Sequence, residues 1–209
     1  MNQSAYREPA PDALEVPEAS EAAASTAHAQ PLIRLAQDND MPAIQAIYAY
    51  HVEHGRASFE ERAPSLAELL ERRAEVLRRG LPYLVAEVAG VVAGYAYASA
   101  YRPRRAYRYT VEDSVYLARA WQGRGLGQAL LSGLLTRCEA GPWRQMLAVV
   151  ACPDDGSGAA SLALHAKLGF REIGTLQAAG FKFGTWIDTV LMQRALGEGS
   201  GTLPGEVPE

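Results

Sequence analysis

Cysteine is scarce in this chain, with Cys138 and Cys152 the only two among 209 residues. One falls in an expected helix and the other at the end of an expected strand. Ordinary buried residues are therefore expected, not a disulfide framework. Histidine is scarce too. Of His28, His51, His54 and His165 only His51 and His54 lie close together, and without a nearby cysteine no metal site is expected. No run of about 18 apolar residues occurs, so no membrane span is expected. The N-terminus is acidic and has no cationic start leading into an apolar stretch, which argues against a secretory signal and makes the cytoplasm the expected compartment. Two phosphate-binding signatures are also missing. Leu130 stands where a GxGxxG pattern begun at Gly125 needs its last glycine, and no Gly-Lys-Ser/Thr follows the glycines.

What the chain does contain suits one domain with tails. It is 48% hydrophobic and 21% charged, with a net charge of −4. That charge is unevenly spread. Residues 1–30 hold Glu8, Asp12, Glu15, Glu18 and Glu21 against Arg7 and are rich in Ala, Pro and Ser, so they read as a disordered acidic tail. Residues 197–209 add only acidic charges and read as a flexible C-terminal tail. The body, 31–196, is left mildly basic, which favours an anionic ligand but is too weak to argue for nucleic acid.

Periodicity divides the body into elements. LIRLA from Leu32 is a short strand. Asp38, Asn39 and Asp40 offer N-caps for a helix with Ile44, Ile47 and Tyr48 on its apolar stripe. Ser65 and Glu68 have capping-box spacing before a second helix, which Gly80 and Pro82 stop. Two apolar runs, 83–88 and 91–99, meet at Ala89-Gly90 and read as a β-hairpin. A loop rich in Tyr and Arg, YRPRRAYRY (101–109), leads to a strand from Val111 to Leu117. A helix carrying Leu126, Leu130, Leu131, Leu134 and Leu135 follows. After it come a strand at 145–152, a short helix at 159–168, and strands near 171–177 and 186–194. The order β, α, α, β, β, β, α, β, α, β, β implies an α/β fold on one mixed sheet.

The most informative stretch is Gln122 to Gly127, reading Q-x-x-G-x-G on a strand-to-helix turn. Gly123, Gly125 and Gly127 leave backbone N–H groups uncovered where a helix begins, and those groups with the positive end of the helix dipole suit a phosphate or pyrophosphate. A glycine-rich helix start with no ligand is the alternative.

This turn resembles the pyrophosphate motif of the GNAT superfamily of acyl-CoA N-acetyltransferases. TVEDSVYL (110–117), QGRGLG (122–127), ASLALHAKLGF (160–170), AAGFKFGTWIDTVLMQ (178–193) and IYAYHVEHGRASFEE (47–61) together resemble its phosphinothricin and methionine-sulfoximine acetyltransferase subfamily. The resemblance spans about residues 31–195. It implies a central sheet of about seven strands with about four helices, acetyl-CoA as co-substrate without a metal, a small amino-acid-like amine as acceptor, and a homodimer.

It also implies site residues. Glu112, in a mostly apolar strand where a carboxylate gains proton affinity, is implied as the general base, and pairing with an arginine such as Arg108 is the alternative. His165 matches a histidine implicated in catalysis, suited to protonating a departing thiolate or relaying a proton. Tyr116 shares a strand face with Glu112. Backbone groups of Val115, Tyr116 and Leu117 are expected to hold the pantetheine arm, and Gln122, Gly123, Arg124, Gly125, Leu126 and Gly127 the pyrophosphate. Relatives usually have Asn where this chain has Gly158, so Ser157 or Ser161 is expected to replace that contact. Arg108 matches a substrate-pocket arginine whose planar fork suits a carboxylate. Arg102, Arg104 and Arg105 read as a solvated basic loop. Phe59, Lys182 and Trp186 match positions lining the pocket or a dimer contact, and Phe59 and Trp186 read equally as core. Other acceptors (an antibiotic, a polyamine, a protein N-terminus) and a silent acyl-CoA-binding module stay open, though the basic 101–109 loop disfavours polyamines.

Overall fold

The computed structural model describes residues 30–205, so the acidic segment 1–30 lies outside it apart from Gln30. Seven strands and four α-helices follow the expected order. They are β1 (Leu32–Leu35), α1 (Met41–His54), α2 (Leu66–Arg78), β2 (Tyr83–Val88), β3 (Val91–Ala100), β4 (Thr110–Leu117), α3 (Leu126–Glu139), β5 (Gln145–Cys152), α4 (Ala159–Lys167), β6 (Arg171–Lys182) and β7 (Thr185–Ala195). One mixed sheet has the order β1-β2-β3-β4-β5-β7-β6. Only β4 and β5 run parallel among the described residues. Among the described residues no helix is long and apolar enough to cross a membrane.

Local chemistry explains the elements. Ser65 Oγ accepts the Glu68 N–H while Glu68 Oε2 accepts the Ser65 N–H at 2.7 Å, closing the expected capping box on α2. The start of α1 differs from expectation. Residues 38–40 form a single 3-10 turn, and Asp40, which accepts the Gln37 N–H at the start of that turn, makes no side-chain cap on α1 itself. Its carboxylate is instead occupied by the Arg34 fork at 2.7 and 2.8 Å and the Gln37 N–H at 2.7 Å. A charged, bidentate partner wins over a neutral cap, and it ties β1 to the helix. Ala89 and Gly90 turn the β2–β3 hairpin with φ of 49° and 81°.

The sheet has two covered faces. On one, Tyr48 of α1 packs edge-on against Tyr116 of β4, ring centroids 5.1 Å apart, and Tyr83, Tyr95 and Tyr97 stack beside them. Period-two alternation puts Glu112 and Ser114 on this face. On the other, α3 buries Leu130, Leu131, Leu134 and Leu135 against β2 and β3, about 1.5–3 kcal/mol for each side chain. α4 abuts the start of α3 there: a Cβ at Gly127 would stand 3.3 Å from Leu164 and 3.7 Å from Leu117.

Candidate active site

β4 pairs with β5 only from Thr110 to Glu112, against Gln145 to Leu147. Beyond Glu112 the two strands part. Val115, Tyr116 and Leu117 stay paired with β3 and have no partner in β5. A slot with backbone polar groups along one wall results, suited to an extended amide-bearing arm. One group at its end is taken, since His51 Nε2 donates to the Leu117 carbonyl at 2.8 Å.

The slot leads to the glycine turn. Gly123 and Gly125 take φ of 73° and 80°, a left-handed conformation that a β-carbon strains. Gly125 is the N-cap of α3 and no side chain caps it, so the N–H groups of the first turn remain open at the positive end of the dipole. Trp121 is buried with Val88, Ala93 and Leu126 in a small second core that anchors the turn, and the Arg124 guanidinium lies 4.9 Å over its ring. Gln122 to Gly127 thus present open backbone N–H groups that suit an anion, with a cation beside them.

Glu112 stands where the strands part, opposite Ser99 on β3 and Leu147 on β5. It is half-buried. Burial, and then the charge of Asp113, raise its proton affinity above that of an ordinary glutamate. Among the described residues no arginine pairs with it. The Arg108 guanidinium instead lies 4.4 Å over the Tyr109 ring and donates to the Arg105 carbonyl at 3.2 Å. The neighbouring Tyr48 hydroxyl contacts Ser58 Oγ at 2.9 Å and donates to Glu60 at 3.0 Å, while Arg72 holds that carboxylate at 2.6 Å. Burial pushes the Tyr48 phenol up to about 12, so it stays protonated.

The residues expected near the acceptor form two groups. Phe59 lies over Gly180 of β6, so closely that a Cβ there would meet its ring at 2.3 Å. Lys182 is 2% exposed and donates to the Ser58 carbonyl at 2.7 Å, and burial lowers its proton affinity. Together they pin the 58–61 segment to the β6–β7 hairpin. Trp186, on the same hairpin, is not core: it is 63% exposed beside Phe181. Arg108 belongs elsewhere. It lines a cavity of about 330 Å³ with Arg102, Arg104, Arg105 and the Arg78 and Arg79 that pair with Glu75, next to Thr110 and Val111.

His165 lies on the face of β4 opposite Glu112. Its Nε2 is 3.0 Å from Asp113 Oδ2, and its Nδ1 is 2.7 Å from the Ser161 carbonyl and 3.4 Å from Ser161 Oγ. Ser157 is exposed, its N–H donating to Asp155. Gly158 has no room for a side chain, because a Cβ would stand 2.5 Å from the Ala151 carbonyl. Sequence reasoning missed Asp113. The available signal was its place in the stripe Val111, Asp113, Val115, Leu117, where a lone carboxylate on an apolar face demands a partner. Among the described residues no three His, Cys, Asp or Glu side chains gather as a metal site.

A parted parallel strand pair ending on the open glycine turn agrees with comparison to known proteins. Residues 33–191 match the model of the acetyltransferase (GNAT) domain, and the chain belongs to that family. It is an acetyltransferase, and acetyl-CoA is the co-substrate of this enzyme family. Among curated relatives, it is 57% identical over 172 residues to phosphinothricin N-acetyltransferase of Alcaligenes faecalis, covering 82% of this chain and 86% of that one. It is 38% identical over 166 residues to L-methionine sulfoximine/L-methionine sulfone acetyltransferase of Salmonella typhimurium, covering 79% and 95%. The crystal structure of a phosphinothricin acetyltransferase from Sinorhizobium meliloti in complex with acetyl-CoA superposes with a TM-score of 0.80 at 47% identity, covering 84% of this chain and 94% of that one.

Proposed function

We propose that this enzyme transfers the acetyl group of acetyl-CoA to the amine of a small amino-acid-like acceptor of the phosphinothricin, methionine sulfoximine or methionine sulfone type, with Glu112 as general base. The observation that carries the reading is an unpaired, half-buried carboxylate at the head of a strand cleft whose far end is the open glycine turn. The names of the relatives supply the acceptor class.

In this reading Gln122 to Gly127 bind the pyrophosphate through backbone N–H groups, and Val115 to Leu117 hold the pantetheine arm in the slot. The neutral amine attacks the thioester carbonyl, its nitrogen–carbon bond forms, and its proton passes to Glu112, directly or through water. The carbon–sulfur bond breaks and its electron pair stays on sulfur. His165 serves the sulfur side. Arg108 is assigned to the acceptor's acidic group, and Phe59, held by Lys182 and Gly180, walls the amine site. The exposed Trp186, Phe181, Ile173 and Leu176 of the β6–β7 hairpin support a homodimer built on that edge.

The test is free-thiol release from acetyl-CoA with a panel of amines: the three named acceptors, ordinary amino acids, spermidine and an aminoglycoside. Saturable turnover on the named acceptors is expected. Turnover confined to spermidine or the aminoglycoside would replace the acceptor class. Silence throughout, with CoA still bound, would leave a binding module.

A further inference from the structure

Asp113 and His165 are buried side chains 52 residues apart that meet at the head of the strand cleft. Asp113 is the first residue of β4 past its pairing with β5, and His165 projects from α4, the helix that follows β5. The pair therefore braces the two strands where they part. Hydrogen-bond chemistry fixes the protons. A backbone carbonyl only accepts, so Nδ1, 2.7 Å from the Ser161 oxygen, carries a proton. With that proton on Nδ1, a neutral ring would aim a lone pair at an ionised carboxylate, so the 3.0 Å contact is a hydrogen bond only with a proton shared between Nε2 and Oδ2. Burial opposes a charged ring, but the hydrogen bond to Asp113, its charge and the Ser161 carbonyl outweigh it, and the imidazole is more basic than usual. Among the described residues nothing hydrogen-bonds to the buried Asp113 Oδ1. A buried ion pair contributes little net stability compared with apolar side chains of the same shape.

Other ionisable groups leave this charge intact. The Cys138 thiol of α3 is pushed up to about 12 by burial and by the charges of Asp113 and Glu139, so it is neutral. Glu112 faces the other side of the sheet. From the remaining side the Phe170 ring packs edge-on at 5.0 Å.

We propose that Asp113 is a positioning residue for acetyl transfer: it holds His165 as an imidazolium at the head of the cleft, where the positive charge stabilises the thiolate as the carbon–sulfur bond breaks. This rests on the reading above that His165 serves the sulfur side.

Asp113→Asn tests it with little change of shape. The amide N–H donates to Nε2 of a neutral ring that keeps its proton on Nδ1, so every hydrogen bond survives and only the charge is lost. Nitrogen-15 NMR of the histidine ring should find an imidazolium in the native protein at neutral pH and a neutral Nδ1–H ring in the variant. kcat should fall about tenfold or more, with acetyl-CoA Kd and Tm held. A neutral His165 in the native protein, or full kcat in Asp113→Asn, would overturn the proposal. The native-protein spectrum decides even if the variant misfolds. His165→Gln separates the two readings. Full turnover there, with Glu112→Gln still inactive, sinks the role of His165 and with it that of Asp113. Impaired His165→Gln beside an unimpaired Asp113→Asn sinks Asp113 alone.

Discussion

Gly94→Ala probes the wall of the cofactor slot without touching a polar group. Gly94 of β3 faces Leu117 of β4 across an antiparallel pair. An added Cβ would stand 2.4 Å from Leu117 Cδ2 and 2.8 Å from the Tyr116 carbonyl oxygen. The leucine methyl can rotate away. The carbonyl cannot, because it belongs to the strand, so β4 must shift by roughly half an ångström to regain van der Waals contact. Overpacking of this kind costs about 1–3 kcal/mol, and in a chain of this size each kcal/mol lowers Tm by roughly 2–4 °C. The displaced stretch, Val115 to Leu117, is also the wall assigned to the pantetheine arm. Calorimetry should therefore find a lower Tm, and titration should find weaker acetyl-CoA binding than in the native protein. An unchanged Tm would refute the packing argument. A lowered Tm with unchanged acetyl-CoA affinity would refute the assignment of that strand to the cofactor.

Other perturbations act on single interactions. Gly158→Asn introduces the side chain that the family resemblance leads one to expect there, but its Cβ meets the Ala151 carbonyl, so a lower Tm and no gain in acetyl-CoA affinity are expected by titration. Asp40→Ala removes the carboxylate that holds Arg34 and should cost roughly 3 kcal/mol at neutral pH by urea unfolding. Arg34 lowers the Asp40 pKa below its ordinary 3.8, so this contribution is present above that value. It fades as pH falls through the folded pKa, and the difference between variant and native protein should shrink in acid. Arg108→Ala should raise the acceptor KM with acetyl-CoA KM unchanged, and an unaltered acceptor KM would return Arg108 to the solvated loop.

The order of elements was legible because each carries a local signal: the leucine period of α3, the Ser65–Glu68 box, the Ala89-Gly90 hairpin. The glycine turn was legible for the same reason, since positive φ at Gly123 and Gly125 leaves a mark in composition. Strand order was not. Nothing local says that β7 inserts between β5 and β6, or that β4 and β5 pair for three residues and then part. The site divided along the same line. Glu112 announced itself as a carboxylate in an apolar strand, whereas the partner of His165 lay 52 residues away and that of the Leu117 carbonyl 66. Asp40 was read as a cap because only tertiary packing brings Arg34 to it. Lys182 gave no hint that its ammonium is buried against Ser58.

The most direct test of Glu112 as base is single-turnover acetyl transfer by Glu112→Gln with acetyl-CoA bound and the acceptor saturating. Loss of a general base should slow transfer by about 10²–10⁴-fold while the acetyl-CoA Kd stays as in the native enzyme. Transfer at the native rate across the pH range would contradict the account and move the base elsewhere in the cleft.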